Sequence, residues 1–358
     1  MGERVSNDLV DRRGLFTALV GDGRPLLTLT ALALLFSGGF ALFLSVMRQF
    51  LPHDLAFLGM TARELCALGD CRVVAFMVHD RATFGGVLLA IGVLYLWLTE
   101  FPLRAGESWA WWALAASGGV GFASFLGYLG YGYLDSWHGV ATLMLLPVFV
   151  LGMTLTWQRV LHGDALHGWR SVRREWSSER WKSRAGVGRV LLLFTALGMV
   201  GAGLTIQTIG MTRVFVPQDL AFVGLTAEQL RAISPRLVPL IAHDRAGFGG
   251  GLVSCGIAFG LAVWFGRPSP ALWQALAIAG TAGFACAIGV HYTIGYTDAM
   301  HLGPAILGAA QFVVAIALSA PEMLGARRSA NGPVPNADRS PSTVPPAPES
   351  PARTHSAN

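Results

Sequence analysis

The chain has 358 residues, 53% of them hydrophobic and 13% charged, with a mean hydropathy of +0.52. Soluble domains carry about 25% charged residues, and here the apolar residues come in blocks long enough to span a bilayer. That excludes a soluble enzyme, a nucleic-acid-binding domain and a disulfide scaffold, and a formal charge of +5 in such a chain reports topology.

In chain order, a polar tail over 1–25 is followed by four apolar runs at 26–47, 82–99, 108–130 and 138–157. The first run is longer than the apolar stretch of a signal peptide and no small-residue cleavage site follows it, so it reads as a retained anchor. The second is short as an apolar run, and its helix is expected to start near Arg72. These spans form a first membrane unit over 26–157. A basic, Trp-rich connector over 158–189 comes next, where Arg170, Arg173, Arg174 and Arg180 interleave with Trp169, Trp176 and Trp181. Residues 157–189 fit either a surface helix binding anionic lipid headgroups or a plain basic cytoplasmic connector. A second unit over 190–320 supplies runs at 190–210, 246–266, 271–294 and 300–319. The last stretch, 321–358, is expected to be a disordered cytoplasmic tail, with 7 Pro and 5 Ser in its final 30 residues.

The expected fold is an all-α polytopic membrane protein with eight transmembrane helices, in a bacterial cytoplasmic (inner) membrane. With both termini cytoplasmic, 18 of the 26 basic residues fall on the inner side and 8 on the outer. Membrane lipids are then its surroundings, and no nucleic acid is a partner.

The two halves repeat each other. Residues 50–64 match 215–229 with 9 of 15 identical, and His79-Asp80-Arg81-Ala82-Thr83-Phe84-Gly85-Gly86 matches 243–250 with 7 of 8 identical. Gly132, Tyr133, Asp135 and His138 match Gly295, Tyr296, Asp298 and His301. Each unit has an even number of spans, so both enter the membrane the same way, and the expectation is two parallel four-helix repeats.

Polar residues gather at the outer side of each unit. In the first half these are Asp54, Arg72, His79, Asp80, Arg81, Tyr133, Asp135 and His138; in the second, Asp219, Arg236, His243, Asp244, Arg245, Tyr296, Asp298 and His301. Charged groups in spans cost roughly 2.5–3.5 kcal/mol on insertion scales and mark functional candidates. On one reading, His79, Asp80, Asp135 and His138, with His243, Asp244, Asp298 and His301, form a site at the mouth of each bundle. A His and a carboxylate from each of two helices would there bind a divalent metal or act as acid and base. On the other, Asp54, Arg72, Arg81, Asp219, Arg236 and Arg245 build ion pairs, Asp80 pairing with Arg81 or Arg72 and Asp135 capping the fourth helix. No recognised metal-binding spacing is present. His291 stands where the first half has Tyr128, and reads as a satisfied interior histidine. Thr61-x-x-Glu64 and Thr226-x-x-Gln229 are capping boxes of a short helix across the mouth. Gly85-Gly86 and Gly249-Gly250-Gly251 allow close helix approach. Cys66 and Cys71, in the first outer loop, are placed for a local disulfide in an oxidising compartment; Cys255 and Cys286 read as packing residues.

A four-span bundle whose second helix opens with Arg81 and Phe84-Gly85-Gly86, or with Arg245 and Phe248-Gly249-Gly250, is similar in outline to the DoxX-like superfamily of small bacterial membrane proteins. The resemblance implies a four-helix membrane unit and, for some members, quinone-linked redox chemistry. The expected function is an enzyme or redox subunit acting on a lipid-soluble substrate at the outer face. The alternatives are a transporter at the repeat interface and a structural or partner-binding membrane protein. The sequence requires no cofactor; a divalent metal and a quinone are the two it admits.

Overall fold

The computed structural model describes residues 14–68, 71–126, 133, 136–162 and 182–330. Among them the chain forms helices and no strand. A short α1 (Leu15–Val20) leads to α2 (Arg24–Met47), which starts on Pro25, a residue whose missing N–H is no loss in a first turn. Two seven-residue helices follow, α3 (Pro52–Leu58) and α4 (Ala62–Leu68). The long α5 (Arg72–Leu98) runs on through a π-helical turn, Thr99–Leu103. Then come α6 (Ser108–Leu126), α7 (Ser136–His162), α8 (Arg184–Met211), α9 (Pro217–Val223), α10 (Ala227–Ile233), α11 (Leu237–Phe265), α12 (Pro270–Ile294) and α13 (Ala299–Ala330).

The short helices have identical local causes in both halves. Pro52 and Pro217 open α3 and α9, and the Asp54 and Asp219 carboxylates accept from the backbone N–H of Leu51 and Val216 at 3.1 and 2.8 Å. Gly59 and Gly224 end them at φ 73° and 74°, a left-handed conformation that a side chain would strain. Thr61 with Glu64 and Thr226 with Gln229 make the capping boxes of α4 and α10.

Among the described residues, seven helices are long and apolar enough to cross a membrane: α2, α5 with its π turn, α7, α8, α11, α12 and α13. The eighth expected span corresponds to α6, a 19-residue helix whose first turn carries Trp109, Trp111 and Trp112; it is not among those seven. Large side chains such as Phe36, Leu143, Phe194 and Leu307 are between 58% and 77% exposed, which suits a lipid-facing surface and not a wet one.

The arrangement centres on α5 and α11, which are buried along most of their length, pack on each other, and are flanked by the remaining spans. Each packs on the first span of its own half, α5 on α2 and α11 on α8. Each also packs extensively on the third span of the other half, α5 on α12 and α11 on α6. Tandem glycines serve both neighbours. Gly85 lies against Gly38 of α2 and Gly249 against Gln207 of α8, while Gly86 faces Cys286 of α12 and Gly250 faces Ser124 of α6. Deeper in the α6–α11 contact, Ser117 and Ser254 donate to each other's carbonyl oxygens at 2.8 Å, and Tyr95 joins Ser117 at 2.9 Å.

The helix of the second span starts at Arg72, as expected, and its counterpart, expected from 246, starts at Leu237, so the His-Asp-Arg triplets lie inside helices. The tail expected from 321 begins later, because α13 continues through Pro321 to Ala330. The connector shrinks, since α7 reaches His162 and α8 starts at Arg184; residues 163–181, the segment 1–13 and the segment 331–358 lie outside the described residues.

Candidate functional site

One end of the bundle carries α3, α4, α9 and α10, and beneath them lie the polar residues. Asp54 and Asp219 do three jobs each. Beyond closing α3, Asp54 accepts the Tyr133 hydroxyl at 2.7 Å and pairs with Arg81 at 2.7 Å. Asp219 accepts the Tyr296 hydroxyl at 2.8 Å and pairs with Arg245 at 2.5 Å. Burial alone would raise the Asp219 carboxyl, but the Arg245 guanidinium, the Val216 N–H and the Tyr296 hydroxyl together hold the group below its usual range. Burial, with Asp219 alongside, pushes the Tyr296 phenol up, so it stays a protonated donor.

The arginines then reach across the molecule. Arg81 of α5 pairs with Asp244 of α11 at 2.8 Å, and Arg245 of α11 approaches Asp80 of α5 at 3.5 Å. This corrects the expected pairing of Asp80 with its neighbour Arg81 or with Arg72. Adjacent residues on a helix point about 100° apart, so each carboxylate faces the opposite central helix. Arg72 donates to the carbonyl oxygen of Phe222 at 3.5 Å, and Arg236 to that of Phe57 at 2.7 Å, tying each half to the other's short helix. Arg81 stacks over Phe50 and Arg245 over Phe76, at 5.6 and 5.0 Å from the ring centres.

The histidines divide into two groups, each drawing on both halves, which corrects the expectation of one site inside each four-helix unit. In the first, His79 of α5 meets His291 of α12 and His301 of α13. His79 Nδ1 lies 3.1 Å from Asp80 Oδ1, and His79 Nε2 lies 3.0 Å from His291 Nε2. The other nitrogen of His291 faces the Ala287 carbonyl. His301 stacks on Tyr296, with its ring centre 5.2 Å from that of His291 and 5.8 Å from that of His79. Potential ligand nitrogens of the three histidines lie within 4.8 Å of one another. In the second group, His243 Nδ1 lies 3.3 Å from Asp244 Oδ1, and its ring sits 5.5 Å from His138 and 5.0 Å from Tyr133. His53, which has no histidine counterpart, lies 6.1 Å from His138.

One candidate acid stands apart from this chemistry. Asp298 is exposed, and its carboxylate accepts from the His301 N–H at 2.9 Å, capping α13. Asp135 lies outside the described residues. Sequence reasoning passed over His291 as a contact of His79; its one signal was that it is the unmatched polar residue of the second half. Above the first group, a shallow cleft of about 530 Å³ runs between α9 and the turn Gly295–Asp298, with Tyr296 in its wall. Cys66 of α4 and Cys71, just before α5, form a disulfide with Cα atoms 4.0 Å apart.

A buried imidazole held between a carboxylate and a second imidazole can store or pass a proton, and converging nitrogens can hold a cation. Comparison of the chain with family models, with curated proteins and with solved structures returns no match.

Proposed function

We propose that the chain is an eight-span protein of a bacterial cytoplasmic membrane, built as two parallel four-helix repeats with both termini cytoplasmic. Its histidine groups form the outer-face site of an enzyme or redox subunit acting on a lipid-soluble substrate. The observation that carries the functional reading is the His79–Asp80 pair, buried inside a helix and aimed at His291. Polar groups at such depth are costly, and acid–base or electron-linked chemistry is what an imidazole near neutral pH supplies. The Tyr296 cleft offers an approach from the bundle's rim. The DoxX-like opening of α5 and α11 makes a quinone the substrate class to test first.

The span count rests on direction. α5 and its π turn run from the histidine end to the opposite end, yet His138 near the start of α7 is back beside His243. The chain between them must recross, and α6 is the helix available. Orientation rests on the 18 to 8 split of basic residues. The matched contacts of α2 with α5 and α8 with α11, and of α5 with α12 and α11 with α6, support the repeat.

Two measurements test this. Fluorescent-protein fusions at Gly163 and at Asn358 are expected to light up in the cytoplasm, and alkaline phosphatase active at either point overturns the orientation. For the substrate, decylubiquinone is titrated into the detergent-purified protein while its melting midpoint is followed. A ligand at 100 times its Kd stabilises by about 2.7 kcal/mol, so the midpoint is expected to climb with concentration in the wild type and to stay flat in His79→Gln. A flat wild-type response, or a rise untouched by His79→Gln, overturns the substrate reading.

A further inference from the structure

We propose that His79, His291 and His301 bind one divalent first-row transition-metal ion through their imidazole nitrogens, with Asp80 as the outer partner of His79. The inference deepens the outer-face reading above and shares only its location with the quinone assignment.

The geometry begins with the two closest nitrogens. His79 Nε2 and His291 Nε2 stand 3.0 Å apart. Two imidazoles bound at about 2.0–2.1 Å to one ion hold their nitrogens about 3.3–3.4 Å apart at a tetrahedral angle, so this pair has to open by only about 0.3 Å. The tautomers point the same way. Asp80 and the Ala287 carbonyl can only accept, so the Nδ1 atoms of His79 and His291 that face them carry the protons. Both Nε2 atoms then present lone pairs to each other, and a cation between them turns that repulsion into attraction. A carboxylate behind a ligating histidine is the usual device for fixing ring and tautomer.

Charge agrees with geometry. Among the described residues, the network at this end contains four carboxylates, Asp54, Asp80, Asp219 and Asp244, none with a side chain more than 8% exposed, against the two guanidiniums of Arg81 and Arg245. Around His79 itself the balance is Asp80 and Asp219 against Arg245. A site with an excess of buried negative charge favours a divalent ion over none. The donor set of neutral imidazoles suits zinc, copper, iron or nickel and not magnesium or calcium. His301, with 20% of its side chain exposed, marks the side from which an ion enters and where a further ligand would sit.

The other half does not repeat the set. The position matching His291 is Tyr128, so the group around His243 lacks that nitrogen, and one ion per chain is the expected load. The test is a Co²⁺ titration of full-length protein purified in detergent through a non-histidine tag and stripped with EDTA. The wild type is expected to take up one equivalent with the visible ligand-field band of a low-coordinate site. His291→Gln is expected to weaken uptake by more than the about 10–100-fold that losing an outer partner costs, and Asp80→Asn by about that amount. His138→Gln is expected to take up Co²⁺ as the wild type does. His301→Gln, at the more exposed position, serves if His291→Gln fails to fold. No stoichiometric Co²⁺ in the wild type, which leaves a proton shared between His79 and His291, overturns the proposal. So does uptake indifferent to both His291→Gln and His301→Gln, or uptake abolished by His138→Gln. Co²⁺ binding without a quinone response overturns the substrate reading alone, and the reverse overturns the metal site alone.

Discussion

Around Arg81 and around Arg245 the surroundings are nearly the same: one aspartate from a short helix of its own half, one from the opposite central helix, and a phenylalanine face. Around His79 and His243 they differ. His79 gains His291 as a close neighbour, whereas His243 sits near His138 and Tyr133, with His53 beyond His138. The charge framework is thus shared by the two halves while the imidazole sets have diverged. The ion pairs tie α5 to α11 from both sides, and the functional reading is placed on the imidazoles, where the two sides differ.

The largest expected effect breaks the shared part. Arg81→Ala and Arg245→Ala each strand two buried carboxylates, which should cost about 3–5 kcal/mol, read as a matching fall in melting midpoint in detergent. A neutral result in either variant would mean that the two frameworks are not equivalent. Next come the helix contacts. A methyl at Gly249 runs into the backbone nitrogen of Gln207, whereas one at Gly85 meets the Gly38 carbonyl at 3.0 Å. Gly249→Ala should therefore cost about 1–3 kcal/mol and Gly85→Ala less, and equal losses would contradict the tighter α8–α11 contact.

Acid sharpens the comparison further. The Asp219 carboxyl is held below its usual value in the folded protein, so its contribution is complete above the ordinary carboxylate range and is lost as pH falls through the depressed value. Asp219→Asn should flatten the acid limb of the melting curve as well as lowering the plateau. An unchanged limb would move acid sensitivity to the other carboxylates. The smallest effect belongs to a feature of one half only. Cys66 and Cys71 should resist thiol labelling until a reductant is added, and ready labelling of both in the unreduced protein rejects the disulfide.

Much of this molecule can be read from local pattern. Long apolar runs report the surrounding solvent, and they mark the spans because a backbone in lipid has no choice but helix. Thr61 with Glu64, like Thr226 with Gln229, starts its short helix through bonds made within three residues, so these capping boxes were legible too. Even α6, whose first turn carries three tryptophans, was recognisable by its apolar body.

What the sequence by itself could not determine is who faces whom across the bundle. Asp80 and Arg81 are neighbours in the chain, yet a helix turns them apart, and Arg81 finds Asp244 instead. His291 looked like a lone interior histidine because its closest imidazole lies 212 residues away on another helix. Such pairings depend on the order and rotation of packed helices, and no local periodicity carries that information. Only the tertiary structure, by setting α12 against α5 and α6 against α11, decided that both histidine groups would be shared between the halves.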